Sequence, residues 1–127
     1  TAVTRIALPH PTSRFFLRRL KSGALLLVKH GPLTARVKRE QLTAFISDDD
    51  GLTWQGGLML DEREHVTYPD GVEADDGTIH IVYDHQRTPL GEVLMATFTE
   101  EDVRAGKPVT DKLRLRVLID HLPDAGN

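Results

Sequence analysis

The chain has 127 residues, no cysteine, and a formal net charge of −3 from 16 Lys and Arg against 19 Asp and Glu. That balance gives no basic field for nucleic acid, and the absence of thiols excludes disulfides, thiolate catalysis and cysteine-based zinc sites. No run of about eighteen apolar residues is present to span a bilayer, and 39% hydrophobic with 28% charged residues describes a globular protein with a core.

The chain opens on Thr1 rather than methionine, and TAVTRIALPHP lacks the apolar centre of a signal peptide, which reads as a start after processing or inside something longer, the latter preferred. Short β-rich runs then follow in quick succession: SRFFLRR, ALLLVKH, LTAFIS and GLML, and in the second half GVEA, TIHIVYD, EVLMATF and LRVLID. Runs of this length with turn residues between them predict an all-β chain of about eight strands. Lys21-Ser22-Gly23 and Asp75-Asp76-Gly77 lie between neighbouring runs, where glycine supplies a positive φ and Ser or Asp bonds its own backbone, so the connections are antiparallel hairpins. One helix of two turns at most is predicted in TEEDVRAGKP, with Thr99 as N-cap, Asp102 at the capping-box position, and Gly106 and Pro108 as stops.

The halves resemble each other. SGALLLVK at 22–29 aligns with DGTIHIVY at 76–83, and LTAFISDDD at 42–50 aligns with LMATFTEED at 94–102, at offsets of 54 and 52. Four strands in about fifty residues is the size of one propeller blade, which needs a neighbour on each face to bury its apolar surface. The spacing predicts two blades, at about 11–61 and 62–120, followed by a tail at 121–127.

SDDDGLTW, Ser47 to Trp54, matches the Asp-box pattern Ser-x-Asp-x-Gly-x-Thr-Trp at all five defining positions, Ser47, Asp49, Gly51, Thr53 and Trp54. Ser47 and Asp49 can accept backbone N–H groups that a tight hairpin leaves unpaired, Gly51 suits the left-handed conformation, and Trp54 can pack beneath the turn. The expected role of the box is structural rather than catalytic. With SRFFLRRLKSGALLLVKHG, GGLMLDER, YPDGVEADDGTIHIVYDHQR and LMATFTEEDVRAGK around it, the chain resembles the BNR-repeat, sialidase-like glycoside hydrolases, in the order and spacing of their C-terminal third. The resemblance implies a six-bladed β-propeller of which this chain supplies about two blades, with the others contributed by the rest of a longer chain or by copies of this one.

Sialidases use a tyrosine nucleophile activated by a carboxylate, an arginine cluster that clamps the substrate, and an aspartate acid-base, so the resemblance implies candidates for these parts. The family's tyrosine stands nine residues before the glycine of a DGTI turn, and Tyr68 stands nine before Gly77. Tyr68 is thus the candidate nucleophile and Asp70 its polar partner, although Pro69 departs from the small residue usual after the tyrosine, and the activating glutamate belongs to another blade. Arg14 occupies the place equivalent to Tyr68 in the preceding repeat, nine before Gly23, and Arg39 precedes the Asp-box strand. Both are candidate substrate clamps, with a solvated surface arginine as the alternative for Arg39.

The stretch LDEREHVTYPDG reads as a polar loop between blades and adds Asp61 and Arg63 to the substrate-binding set. His30 closes its strand at the rim and is a candidate for substrate hydrogen bonding. Asp84 and Arg87 follow a buried strand toward the same rim, where Arg87 either touches substrate or pairs with Asp84. His80 is expected on the face of its strand opposite Ile79, Ile81 and Tyr83. The six histidines show no HxH, HxxxH or HExxH spacing, so neither a metal site nor a cofactor is expected. The function these readings imply is glycosidic-bond hydrolysis in a carbohydrate at an axial propeller pocket, without a nucleic-acid or membrane partner. The alternative is a non-catalytic, lectin-like propeller. A secreted or periplasmic setting follows from the resemblance alone.

Overall fold

The computed structural model describes residues 15–33, 39–85 and 91–121, with side chains to residue 119. Eight strands and one helix succeed one another: β1 (Phe16–Arg19), β2 (Leu25–His30), β3 (Glu40–Ser47), β4 (Gln55–Glu64), β5 (Val66–Glu73), β6 (Ile79–His85), β7 (Glu92–Phe98), α1 (Glu100–Ala105) and β8 (Arg114–His121). They form two four-stranded sheets in the orders β1-β2-β3-β4 and β5-β6-β7-β8, with every pairing antiparallel. These are the two propeller blades, and each is a meander because each connection is short enough to return the chain alongside its predecessor.

The sheets stack face to face, β1 beside β5 and β4 beside β8. Alternation along the strands decides which side chains enter the seam. From the first sheet come Leu26, Val28, Leu42, Ala44, Ile46, Leu58 and Leu60, and from the second Ile79, Ile81, Tyr83, Leu94, Ala96 and Phe98, all in one buried cluster. His80 faces the other side of β6 and pairs its Nδ1 with Thr97 Oγ1 at 3.1 Å, as the two-residue period requires. Two hairpins repeat the same geometry 54 residues apart: Gly23 N–H donates to Leu20 O at 2.9 Å, and Gly77 N–H donates to Ala74 O at 3.0 Å. Lys29, on the outer face of β2, is fully buried, with its ammonium donating to the carbonyls of His30, Gly31 and Pro32. Burial pulls its pKa down to about 8.

The helix forms where its caps place it. Thr99 Oγ1 accepts from Asp102 N–H, Asp102 reaches back to Thr99 N–H at 2.9 Å, and Gly106 ends the helix at φ 70°. Asp102 also receives Val109 N–H, Thr110 N–H and Thr110 Oγ1–H, so one fully buried carboxylate organises the whole passage from β7 to β8. Burial alone would raise its pKa, but these donors outweigh that and hold it below the ordinary carboxylate range.

The stretch expected as a loop between blades is instead strand. β4 continues to Glu64, β5 begins at Val66, and His65 at φ 64° is the entire connection. Leu58 and Leu60 are buried with Met59 exposed between them, and a register shift opposite Leu42 and Thr43 then buries Asp61 directly after Leu60 before Glu62 and Glu64 return to water on this edge strand. Polarity conceals the strand, and the shift after Met59 moves its period by one residue.

Candidate functional site

Chain direction reverses from strand to strand, which sorts the molecule into two ends. Hairpins 20–24 and 74–78, the Asp-box and α1 share one end; His30, Glu40, Glu64, Val66, His85 and Glu92 mark the other.

The first end is occupied by structural contacts. In the Asp-box, Ser47 Oγ accepts from Gly51 N–H at 2.8 Å, while Asp49 accepts from Ser47 Oγ–H at 2.8 Å, Thr53 N–H at 2.8 Å and Thr53 Oγ1–H at 2.5 Å. The Thr53 donors lead in holding the Asp49 pKa at about 2. Gly51 sits at φ 92°, and half-buried Trp54 lies over it next to Leu25. All the chemistry of Asp49 is spent on the turn, and Asp48 is engaged by Arg104 of α1.

The opposite end carries the candidate groups. Tyr68 and Pro69 form a β-bulge in edge strand β5, between the pairs Thr67↔Asp84 and Asp70↔Val82. Proline is tolerated there because an edge bulge asks no ladder N–H of it. Tyr68 adopts φ 56°, unusual for an aromatic residue, and is 39% exposed. With Asp70, Val72, Val82 and Asp84 it lines a hollow of about 300 Å³. Asp70, within β5, accepts Gly71 N–H at 2.9 Å. A larger hollow of about 710 Å³ lies on the same face nearer the Asp-box end, among Asp76, Thr78, His80 and Lys112. There Lys112 pairs with Asp76 at 2.8 Å and Arg114 donates to the backbone carbonyls of Asp111 and Leu113, and the hollow lacks the group that distinguishes the smaller one, an exposed aromatic hydroxyl on strained backbone.

The remaining candidates divide. Asp61 is fully buried and grips Arg63, receiving Nε–H at 2.9 Å, Nη2–H at 2.7 Å and the backbone N–H at 3.1 Å; it also receives the Tyr83 hydroxyl at 3.0 Å. Burial pushes the Asp61 pKa up, but the Arg63 and Tyr83 bonds prevail and leave it lowered, while burial foremost, with the Asp61 charge, drives the Tyr83 phenol well above its usual range. Arg116 of β8 completes the cluster, 3.6 Å from Asp61 and paired with Glu62. His30 is fully buried, its Nε2 on the carbonyl of Val66, so it braces the start of β5 instead of facing the hollow. Arg39 is exposed, and its carbonyl accepts His65 N–H at 2.8 Å and Val66 N–H at 3.3 Å. Asp84 is half-buried at the hollow, and Arg14 and Arg87 lie outside the described residues.

Sequence reasoning passed over the side-chain roles of Tyr83, Glu62 and Arg116, and the contact of His85 with Glu92 at 3.0 Å. For Tyr83 a signal existed, a tyrosine among residues that face the core, since a buried phenol needs a polar partner. Among the described residues, no group of three or more His, Asp or Glu is placed to hold a metal ion.

Neither the curated proteins nor the solved structures include a match to this chain. The family model of the BNR repeat-like domain matches residues 1–81, covering β1 to β5, the Asp-box and the Tyr68 bulge. Two stacked four-stranded blades with an Asp-box between the third and fourth strands agree with that match, and the protein belongs to the BNR repeat-like domain family.

Proposed function

We propose that these two blades form part of a propeller that hydrolyses a glycosidic bond in a carbohydrate, with Tyr68 as the nucleophile. The observation that supports this reading is the Tyr68 bulge. An exposed phenol on left-handed backbone, at the end away from the Asp-box, stands in one hollow with Asp70 and Asp84. Strain of this kind costs on the order of 1–3 kcal/mol and gathers where a side chain must be aimed.

In this mechanism the Tyr68 oxygen attacks the anomeric carbon as its proton passes to a carboxylate supplied from another blade. The bond to the leaving oxygen breaks as an acid protonates it, and water then releases the sugar from the tyrosine. A neutral phenol approaches an anionic sugar without the repulsion that a carboxylate nucleophile would meet. Asp70 orients the substrate hydroxyls, and Arg14, Arg39 and Arg87 are the arginines within reach in sequence for an anionic group. The missing blades come from the remainder of a longer chain or from further copies.

The test compares wild type with Tyr68→Phe for release of a chromophore from aryl glycosides, aryl sialosides included, and for glycan binding. Turnover lost in Tyr68→Phe with binding kept supports the hydrolase. Binding without turnover in both proteins replaces it with a lectin, and neither binding nor turnover leaves a scaffold or a mere fragment of the propeller.

A further inference from the structure

We propose that Tyr83 and Asp61 are positioning residues for Tyr68: their buried hydrogen bond fixes the point of β6 that faces the bulge, and so sets where the Tyr68 hydroxyl stands. The register makes the connection. Thr67 pairs with Asp84 and Asp70 with Val82, which leaves Tyr83 as the single residue opposite Tyr68 and Pro69. A bulge lacks ladder bonds at its own apex, and Pro69 has no N–H to give, so the strand behind it contributes strongly to where the bulge sits.

That strand is tied through Tyr83 across the seam. Tyr83 itself borders the hollow, and its buried hydroxyl donates across the seam to Asp61 Oδ2 at 3.0 Å. Asp61 is held in turn by three donors of Arg63, with Arg116 at 3.6 Å. A second tie from the first sheet, His30 to the Val66 carbonyl, fixes the other flank of the bulge. Two anchors belonging to the neighbouring blade thus flank the Tyr68 bulge. Neither anchor lines the hollow with a charged group, since the Tyr83 hydroxyl and Asp61 are enclosed. Supporting contacts of this kind hold a reacting group within the fraction of an ångström that turnover demands.

The inference rests on Tyr68 being the reacting group, and its test separates the two ideas. The chain has two tyrosines, so Tyr83→Phe, which keeps the ring and deletes the hydroxyl, leaves Tyr68 as the sole tyrosine signal in an NMR spectrum of the ring-labelled full chain. The expected result is a shifted and broadened Tyr68 ring signal, with kcat on the aryl glycoside reduced about tenfold or more and KM changed by less than about twofold. An unmoved Tyr68 signal in a folded variant overturns the proposal. If the wild type with its remaining blades present releases no chromophore, the hydrolase reading falls while the ring signal still decides the positioning role. Should Tyr83→Phe fail to fold, Asp61→Asn keeps the shape and part of the acceptor set. It is expected to move the Tyr68 signal in a smaller measure, and an unmoved signal there overturns the proposal as well.

Discussion

Asp48 of the Asp-box and Arg104 of α1 meet in a two-point contact across the seam, Oδ1 accepting from Nη2 at 2.7 Å and Oδ2 from Nη1 at 2.8 Å. Arg104 is held in the geometry for this by Glu100 one turn earlier, at 2.7 Å. The Asp-box thus closes its own hairpin through Asp49 and clasps the next blade through Asp48. Replacing Arg104 with Met is expected to lower the melting temperature by a few degrees at low salt and by less at high salt, because both groups are partly exposed and screened. A double-mutant cycle with Asp48→Asn, followed by thermal denaturation, should return a favourable coupling that shrinks as salt is added.

α1 approaches β4 where a side chain would obstruct it. A Cβ added at Gly56 would lie 2.3 Å from the Val103 carbonyl oxygen, and the residue sits at φ 87°. Gly56→Ala is therefore expected to destabilise by about 2 kcal/mol or more through both strain and displacement of the helix. Urea unfolding of the variant gives the figure, and an unchanged midpoint would contradict the packing.

Acid should act on the seam through Asp61. Its pKa is lower in the folded chain than in the unfolded one, so its stabilisation is complete above the ordinary carboxylate value and is lost as pH falls through the folded one. Stability measured by urea unfolding is expected to decline as pH falls below the ordinary carboxylate range, with part of the loss belonging to this residue. In Asp61→Asn the decline should be shallower and the stability at neutral pH lower.

Thr67, adjacent to Tyr68, is 3% exposed, and its hydroxyl has no hydrogen-bond partner among the described residues. Thr67→Val keeps the shape and removes an uncompensated polar atom, so the variant should be as stable as wild type or more stable by about 1 kcal/mol. If a bound sugar uses that hydroxyl, glycan affinity falls in the same variant; calorimetry and thermal denaturation on one preparation read both effects.

Much of the fold was legible because its signals are local. Thr99, Asp102 and Gly106 write the helix and both of its caps, and the five Asp-box positions write the turn at Ser47–Trp54. The hairpins at Gly23 and Gly77 announce themselves twice, at the same spacing. What stayed hidden depends on contacts far apart in sequence. Asp61 and Arg63 look like an exposed acid and base beside a turn, yet they serve a tyrosine 22 positions from the aspartate. His30 ends its strand at the rim, yet a carbonyl 36 positions away takes its ring nitrogen into the interior. Composition marked these residues as chemically able; only the stacking of the sheets decides which of them meet a substrate and which meet each other.

The junction at His65 also bears on how such a molecule can be rebuilt. With a single residue between the sheets, and its N–H and that of Val66 both stapled to Arg39, no slack exists at the blade boundary for a cut or an insertion. Grafts or duplications that begin and end in the hairpins at 20–24 and 74–78 would carry the crossing over intact. The exchangeable unit of this chain is therefore offset from the visible sheet, straddling two of them.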